Sequence, residues 1–316
     1  MAKLSVIVPA YNREQVVRET VDSVLGQTER DLEVIVVDDG STDSTGEVVK
    51  GIGDERVRYF RKENGGAASA RNLGLSKAGG EYVAFLDSDD VWPEDYAEVM
   101  LRHLEGEGDF GAAYSPMTVV YPGGEKIRSY KQPEGNSGWL TVDLFKRGFV
   151  WPSAAVFRSS VWKDFYFDEF LRKSYEDGDA FLRLSMRTQF LFVPDVQPLY
   201  RMSADSISTE AGVACTRLLV LERFYYRLGG DKYVTPRTAR RRLSHACRKV
   251  AEDRRSTMAR TAALKLYKHA IQYWPFDLRL YMGLLRTVFL PSNKDTQPDW
   301  EMPEALGDPI GTSRSA

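Results

Sequence analysis

Three aspartates lie within four positions directly after an apolar run. The stretch from Tyr82 to Pro93 reads YVAFLDSDDVWP, so Asp87, Asp89 and Asp90 follow YVAFL. Side chains alternate on an extended segment, which places Asp87 and Asp89 on the same side. At about 5 Å and an effective dielectric near 20, two such carboxylates repel by roughly 3 kcal/mol. A divalent cation, Mg²⁺ or Mn²⁺, would offset this repulsion, and Mg²⁺ typically binds one or two carboxylates together with substrate phosphates.

Two earlier apolar runs also end in polar residues. LSVIV is followed by PAYN at 9–12, and LEVIVV is followed by DDGS at 38–41. Ordinary local structure explains these acids as well, because Asp-Gly-Ser is common in turns and Ser41 or Thr42 is a usual helix cap. In the same way, Asp90 could cap a helix that begins at Pro93. On spacing alone both interpretations stay open.

The glycine-containing loop NGGAASARNLG, at 64–74, excludes two common phosphate-binding motifs. It lacks the G-x-G-x-x-G order of a dinucleotide fold and the GK[ST] sequence of a P-loop. The loop could still present backbone N–H groups and Arg71 to an anion at the start of a helix.

The elements that must position these residues alternate between strand and helix patterns. Continuous apolar strands separated by helices predict a parallel sheet covered on both faces, with ligands at the carboxyl ends of its strands. The second part of the chain predicts mixed or antiparallel strands, and from about residue 212 the chain becomes helical. The predicted strands are 4–8, 32–37, 57–60 and 82–86, with others within 111–121, 154–162 and 190–200; the predicted helices are 14–27, 42–50, 67–77, 94–105 and 175–188.

Charge divides the chain unequally. The net charge is −2, yet Cys215 to Leu290 contains 17 Lys/Arg against 5 Asp/Glu. These basic helices have no recognisable nucleic-acid-binding module around them, so a nucleic-acid partner is not expected. Three roles stay open for them: contact with an anionic membrane surface, packing on the first domain, or self-association as a homo-oligomer.

Cysteine content and hydropathy predict a cytoplasmic protein. Cys215 and Cys247 form neither a disulfide framework nor a CxxC pair, which indicates a reducing compartment. The start of the chain reads as a strand that meets Pro9 and not as a cleavable signal, and no run has the roughly 18 apolar residues that a membrane span needs.

Five motifs in this order resemble a family 2 glycosyltransferase of the GT-A fold. They are VIVPAYN, VVDDGSTDST, ENGGAASARNLG, FLDSDD and YEDGDAFLRL, and together they cover roughly residues 3 to 210. The resemblance implies an α/β fold, a nucleotide-diphospho-sugar transferase with a mixed sheet and helices on both faces, followed by a C-terminal helical region.

The resemblance implies a site for a nucleotide-sugar donor. Pro9, Tyr11 and the pair Asp38 and Asp39 would hold the base and ribose, with Tyr11 packing and an Asp accepting a base N–H. Arg71 would lie near the diphosphate or ribose. DSDD matches the family's DxD motif, so that Asp87 and Ser88 would contact the donor, while Asp89, with Asp87, would bind the divalent cation.

The second half would supply a general base. YEDGDAFLRL places Glu176 and Asp177 at a helix start, where the resemblance implies that an acid faces the acceptor. Asp177 is the predicted base for an inverting transfer, with Glu176 beside it and Asp179 as the alternative. Acids that only favour the first turn of a helix are the structural interpretation.

One motif departs from the family pattern. Many relatives carry a histidine after the last core strand, where YRMSADSIS has Ser203. This puts strict metal dependence in doubt. Arg201, Ser206 and Ser208 remain as predicted diphosphate contacts.

The predicted domains are a GT-A catalytic domain at 1–212, a basic helical region at 213–290 and a flexible tail at 291–316. Within the first, 1–110 is the nucleotide-binding half and 111–212 the acceptor half. The predicted function is transfer of a sugar, from a UDP-sugar in the first instance, to a glycan or lipid-linked acceptor in cell-surface polysaccharide or glycolipid synthesis. The location is the cytoplasm, with the inner face of the cell membrane open. A noncatalytic nucleotide-sugar or glycan-binding module and a nucleotidyltransferase are the alternatives.

Overall fold

A computed structural model of the chain describes residues 2–121, 126–128, 135–171, 175–202, 213–253 and 260–289. The chain divides into two compact units, Met1–Ser206 and Ile207–Ala316. The predicted tail at 291–316 lies outside the described residues.

The first unit is built on a mixed sheet of seven strands. Its order is β3-β2-β1-β4-β8-β5-β9, in which β8 is antiparallel to both of its neighbours and the other pairs are parallel. The four early strands lie where the apolar runs predicted them. The strands are β1 Leu4–Ala10, β2 Leu32–Asp38, β3 Val57–Arg61, β4 Tyr82–Phe85, β5 Phe110–Tyr114, β8 Ala155–Arg158 and β9 Gln189–Phe192.

A smaller sheet of three strands accompanies it, in the order β10-β6-β7. Its strands are β6 Thr118–Val120, β7 Lys126–Arg128 and β10 Leu199–Arg201. The smaller sheet contacts the loop that follows β4, because Val91 and Leu199 exchange two backbone hydrogen bonds of 3.1 and 2.8 Å.

Helices cover both faces of the large sheet, which confirms the predicted fold class. Alternate residues of β1 face opposite sides: Leu4, Val6 and Val8 pack in one core with helices α1 and α4, while Ile7 faces α3. Gly74 of α3 is required there, because a Cβ would lie 2.3 Å from Cγ2 of Ile7. The helices of this unit are α1 Val17–Leu25, α2 Thr45–Lys50, α3 Ala67–Lys77, α4 Tyr96–Gly106, α5 Thr141–Lys146 and α6 Glu176–Leu184.

The first two helices begin three residues later than their sequence patterns indicate, at 17 and 45 instead of 14 and 42. The intervening residues bond to each other across the two loops. The backbone N–H of Glu14 donates to Asp43 at 3.1 Å, and that of Ser44 donates to Glu14 at 2.9 Å. Side chains thus compete with the first helical turn for its backbone groups.

In the second unit, the described ranges 213–253 and 260–289 form the α-helices α7 Val213–Arg227, α8 Pro236–Asp253, α9 Arg260–Tyr273 and α10 Leu278–Phe289. Leu218, Leu221, Leu243 and Leu266 are among its buried side chains. Close packing of α10 on α9 requires Gly283, because a Cβ there would lie 2.5 Å from the Tyr267 ring. Among the described residues no helix combines the length and the apolarity needed to cross a bilayer.

Candidate active site

The carboxyl ends of β2, β1 and β4 lie side by side at one edge of the sheet. The backbone N–H of Asp39 donates to Ala10 at 2.8 Å, and that of Leu86 donates to Ile7 at 2.9 Å. The three polar strand ends predicted from the sequence are therefore neighbours. Tyr11 is 45% exposed at this edge, Pro9 is half-buried and Ser88 is buried.

The carboxylate of Asp38 is engaged within the protein. It is buried, and it accepts hydrogen bonds from the Ser41 backbone N–H at 2.7 Å and the Tyr59 hydroxyl at 2.5 Å. Burial by itself would raise the pKa of Asp38, but these hydrogen bonds outweigh burial and lower the pKa below its ordinary value. One oxygen of Asp38 thus holds the turn after β2, and the other is bound to Tyr59 on β3.

Asp39 anchors the start of α3. Its Oδ1 accepts from Lys62 Nζ at 2.8 Å and from the Gly65 N–H at 2.9 Å, and its Oδ2 accepts from the Gly66 N–H at 2.7 Å. Gly66 has a φ of 90°, a conformation that favours glycine. The anion at this helix start is therefore the protein's own carboxylate, where the sequence left open an external one.

Arg71, on α3, joins the two halves of the first unit. Its Nη2 donates to Oδ1 of Asp87 at 2.7 Å, and its Nη1 donates to Oε1 of Glu176 at 2.5 Å. The Arg71 side chain is 4% exposed, so this is a buried bridge between the end of β4 and the first residue of α6. The bridge engages both terminal nitrogens, and a contact between Arg71 and a donor stays a prediction.

Asp177 lies next to this bridge. The pKa of Asp177 is raised to about 7, mainly by burial and secondly by the negative charge of Glu176. The charge of Asp87 acts on it in the same direction, and Arg71 acts against it, which places all four groups in one electrostatic cluster. The only hydrogen bond found for its carboxylate among the described residues comes from the Gly178 N–H at 2.7 Å.

The backbone at the start of α6 is strained. Tyr175 has a φ of 66°, which costs a non-glycine residue roughly 1–2 kcal/mol. A Cβ on Gly178 would lie 2.7 Å from the Tyr175 ring, so glycine is required beside it. Strain of this kind is frequent at functional sites, where the surrounding structure holds it in place.

Asp179, the alternative base, has a structural partner. Its Oδ2 accepts from Nε of Arg183 at 2.7 Å, one turn along α6, and Asp179 is 1% exposed. This geometry favours Asp177 over Asp179 for contact with a substrate.

Asp89 carries a poorly compensated negative charge. Burial first, and the neighbouring Asp87 second, raise the pKa of Asp89 above its ordinary value. Its nearest cationic group is Nη2 of Arg13, at 3.7 Å. Carboxylate oxygens suit Mg²⁺ and Mn²⁺, and excess negative charge is what such a cation would neutralise, so these residues fit a divalent cation. Within the described ranges, however, no three His, Cys, Asp or Glu side chains are grouped as a complete metal site.

Asp90 does not cap the helix that follows, because α4 begins only at Tyr96. Its Oδ2 instead accepts from the Ser153 hydroxyl at 2.5 Å, and its Oδ1 accepts from the Arg201 N–H at 3.3 Å. Ser153 also receives the backbone N–H of Asp87 at 3.1 Å, so it fixes the loop that carries the acids. Ser153 and Arg13 are not among the site residues predicted from the sequence. No motif marks Ser153, whereas Arg13 follows PAYN directly.

Arg201 pairs with another residue at this edge. Its two terminal nitrogens donate to Glu19 at 3.0 and 2.8 Å, and both side chains are partly exposed. An exposed pair of this kind contributes little stability and can exchange partners. Ser203, Ser206 and Ser208 lie outside the described residues.

Sequence comparison places the first half of the chain in a known family. Residues 5–165 match the family model described as Glycosyl transferase family 2. An uncharacterized glycosyltransferase of Rickettsia bellii is 40% identical over 147 residues, 46% of this chain and 20% of the relative. A putative teichuronic acid biosynthesis glycosyltransferase of Bacillus subtilis, TuaG, is 46% identical over 104 residues, 32% of this chain and 41% of the relative.

Structural comparison extends further along the chain. TarS 1–349 of S. aureus in complex with UDP-GlcNAc has a TM-score of 0.59 and 21% identity, covering 90% of this chain and 91% of that one. The mannosyltransferase PcManGT of Pyrobaculum calidifontis, in complex with GDP-Man and Mn²⁺, has a TM-score of 0.57 and 19% identity, covering 91% and 87%. These similarities show the shared GT-A-like fold.

The matches with the first curated relatives span only about a fifth of those proteins' length. The family model nevertheless covers about half of this chain and includes the strand ends at Asp38, Asp39, Asp87 and Asp89. The resemblance predicted from the five motifs is confirmed: the chain belongs to glycosyl transferase family 2.

Proposed function

We propose that this chain is an inverting glycosyltransferase that moves a sugar from a nucleotide-diphosphate sugar, a UDP-sugar in the first instance, to an acceptor hydroxyl. The observation that carries the proposal is the cluster of Asp87, Arg71, Glu176 and Asp177. It brings an acid of the DxD motif close to a carboxyl group whose pKa of about 7 suits a general base.

In this reaction Asp177 accepts the proton of the acceptor hydroxyl. The acceptor oxygen forms a bond to C1 of the sugar while the bond between C1 and the diphosphate oxygen breaks on the opposite face. The products are the glycosylated acceptor with an inverted anomeric centre, the nucleoside diphosphate and a protonated Asp177. Glu176 acts through Arg71 as a positioning residue, because its ion pair holds the first turn of α6 against Asp87.

Asp89, together with Asp87, would hold a divalent cation. When bound, the cation supplies neutralisation of the negative charge on the diphosphate leaving group. The fit rests on the poorly compensated charge of Asp89 described above. Because the described side chains offer too few ligands for a complete site, we expect donor phosphates and water to supply the remainder.

The donor base and ribose are proposed to lie along Tyr11 and Pro9, beside Asp38 and Asp39. TarS with UDP-GlcNAc and PcManGT with GDP-Man and Mn²⁺ have similar folds and support a nucleotide-sugar donor and a divalent cation. The name of TuaG supports a polysaccharide or glycolipid product, with a glycan or lipid-linked acceptor. We further propose a cytoplasmic location, in which Cys215 and Cys247 stay reduced and outside any disulfide.

A panel of sugar nucleotides tests the proposal. We expect one nucleotide series, with Mn²⁺ present, to raise the thermal stability of the chain, since a ligand at 100 times its Kd stabilises by about 2.7 kcal/mol. With an acceptor glycan, the same donor should release free nucleoside diphosphate. Donor binding without any release would favour a noncatalytic binding module, whereas release of pyrophosphate from a nucleoside triphosphate and a sugar phosphate would favour a nucleotidyltransferase.

A further inference from the structure

The last helix of the second unit has an inverted amphipathic pattern. A surface helix normally turns its large apolar residues inward. In α10 the buried positions are Leu280, Gly283 and Thr287, two of which are small or polar, and Thr287 donates to the Gly283 carbonyl at 2.8 Å. The residues of α10 that face outward are therefore mainly the large apolar ones.

These outward residues form a continuous stripe. Leu278, Met282, Leu285 and Phe289 follow one another at intervals of four, three and four residues, which places them on one side of the helix. They are 76%, 51%, 56% and 80% exposed. Phe276, just before the helix, adds to the stripe with 78% exposure. Together, these five residues form what we call the α10 face; Phe276 also packs edge-to-face against the neighbouring Trp274, with ring centroids 5.3 Å apart.

The charges around the α10 face are positive. The helix itself contains Arg279 and Arg286 and no acid, and Arg286 is exposed. Near its start, basic residues of α8 converge with Arg279 around His245. Burial first, and then the charges of Arg242, Arg248, Lys249 and Arg279, lower the pKa of His245 to about 4.

Charge complementarity decides which partner fits this face. The nearby acids, Asp277 and Glu252, are already paired with Arg279, Arg248 and Lys249. The region from Cys215 to Leu290 has 17 basic against 5 acidic residues, so two copies meeting through this surface would repel each other. An anionic lipid surface instead attracts the charges and takes up the apolar stripe.

We propose that the α10 face binds the surface of an anionic bilayer, with α10 lying in the plane of the interface. Leu278, Met282, Leu285 and Phe289 enter the boundary between headgroups and acyl chains. Arg279 and Arg286 lie at the level of the headgroups. The proposal gives residues and geometry to one of the roles that the sequence left open for the basic helices, and it does not depend on the proposed sugar transfer.

Cosedimentation with lipid vesicles tests this proposal on the full chain. The probes are vesicles of phosphatidylcholine alone and of phosphatidylcholine with about one third phosphatidylglycerol. We expect binding to the anionic vesicles, reversed by salt, and much weaker binding to the neutral ones. The triple variant Met282→Gln, Leu285→Gln and Phe289→Gln should lower the partition coefficient at least about tenfold. Because all three side chains are exposed and Gln is a good helix former, the fold should persist.

Two further variants separate the contributions. Arg286→Gln should weaken binding to the anionic vesicles about fivefold and leave the neutral vesicles unaffected. Phe170→Gln, at an 81% exposed position in the first unit, is the matched control and should bind like the parent. Circular dichroism checks that the helices of each variant remain.

Three results would overturn the proposal. The first is equal binding of the parent and the triple variant. The second is a dimer of the parent that the triple variant dissociates while no form binds lipid, which would assign the face to a second copy. The third is vesicle binding that appears only after residues 291–316 are removed, since the face would then belong to that segment.

Discussion

The acids that follow β2 and those that follow β4 lie at the same edge of one sheet but differ in how they are compensated. Asp38 and Asp39 accept hydrogen bonds on every carboxylate oxygen, from neighbouring N–H and O–H groups and from Lys62. Asp89 has one cation at 3.7 Å, and burial together with Asp87 raises its pKa. The pKa of Asp177, which lies next to the Arg71 bridge, is likewise raised by burial and by neighbouring acids.

This difference indicates which acids build the site and which ones act in it. A buried carboxylate with several donors is stabilised in its charged form and holds the backbone around it. A carboxylate facing other acids is destabilised in that form, and it gains most from a proton, a cation or a substrate. We therefore propose a chemical role for Asp89 and Asp177, and a scaffolding role for the pair after β2 in addition to any donor contact.

The largest expected effect comes from Asp177→Asn, which removes the proposed base and keeps the shape of the side chain. Sugar transfer should fall by about 10²–10⁴-fold, while donor affinity changes by less than about twofold. Steady-state assays of nucleoside diphosphate release and titration of the donor measure the two quantities. The matched change two residues along α6, Asp179→Asn, should lower the free energy of unfolding through loss of its Arg183 pair and spare the transfer rate per folded molecule. Transfer at the parental rate by Asp177→Asn would contradict the assignment.

Asp89→Asn tests whether the other poorly compensated acid binds the cation. We expect a loss of roughly 10²-fold in transfer, because developing charge on the leaving group is then poorly neutralised. The thermal stabilisation that Mn²⁺ adds to the donor complex should disappear as well. Asp22→Asn, an exposed acid on α1, serves as the control for a general loss of negative charge. A variant at Asp89 that keeps the full Mn²⁺ effect would remove Asp89 from the metal site.

Asp39→Asn tests the scaffolding role of the acids that follow β2. The amide keeps one accepting oxygen but replaces the other by an N–H₂ group, and it removes the charge that faces Lys62, so the anchor at the start of α3 is weakened. We expect the free energy of unfolding to fall by about 2–3 kcal/mol, as for loss of a buried charged acceptor. Urea denaturation measures this change. Unchanged stability combined with lost donor binding would show that Asp39 serves the ligand alone.

The dependence of the transfer rate on pH tests the same role of Asp177. With a pKa of about 7, Asp177 is protonated at low pH and cannot accept a proton. The rate should therefore rise about tenfold per pH unit below pH 7 and level off above it. A profile that is flat from pH 5 to pH 8 would contradict this role.

The same group links pH to stability. The folded pKa of Asp177 lies above its unfolded value, so the charged form destabilises the fold, and stability decreases as pH rises from about 4 to 7. Removing the charge in Asp177→Asn should raise the free energy of unfolding relative to the parent at pH 8 and change it less at pH 5. Denaturation at the two pH values measures the difference.

Much of the first unit could be predicted from the sequence. Continuous apolar runs located β1 to β4, and α3 begins and ends at Ala67 and Lys77, as its pattern predicts. The strand-end rule located Asp38, Asp39, Asp87 and Asp89 at one edge, because it depends only on parallel order.

The partners of these residues could not be predicted in the same way. In the Arg71 bridge, Arg71 lies 105 positions from Glu176 and 16 from Asp87, so the bridge depends on how α3 and α6 lie on the sheet. The roles of Asp90 and Ser153 depend on a turn between distant strands. Local patterns contain no information on such contacts, which arise from packing.

One measurement tests the central claim most directly: the anomalous scattering of Mn²⁺ in crystals of the chain with a uridine diphosphate. We predict a single manganese peak within bonding distance of an Asp89 oxygen and of the diphosphate, with Tyr11 beside the base and Asp177 facing the vacant sugar position. A diphosphate and manganese bound away from Asp87 and Asp89 would contradict the account.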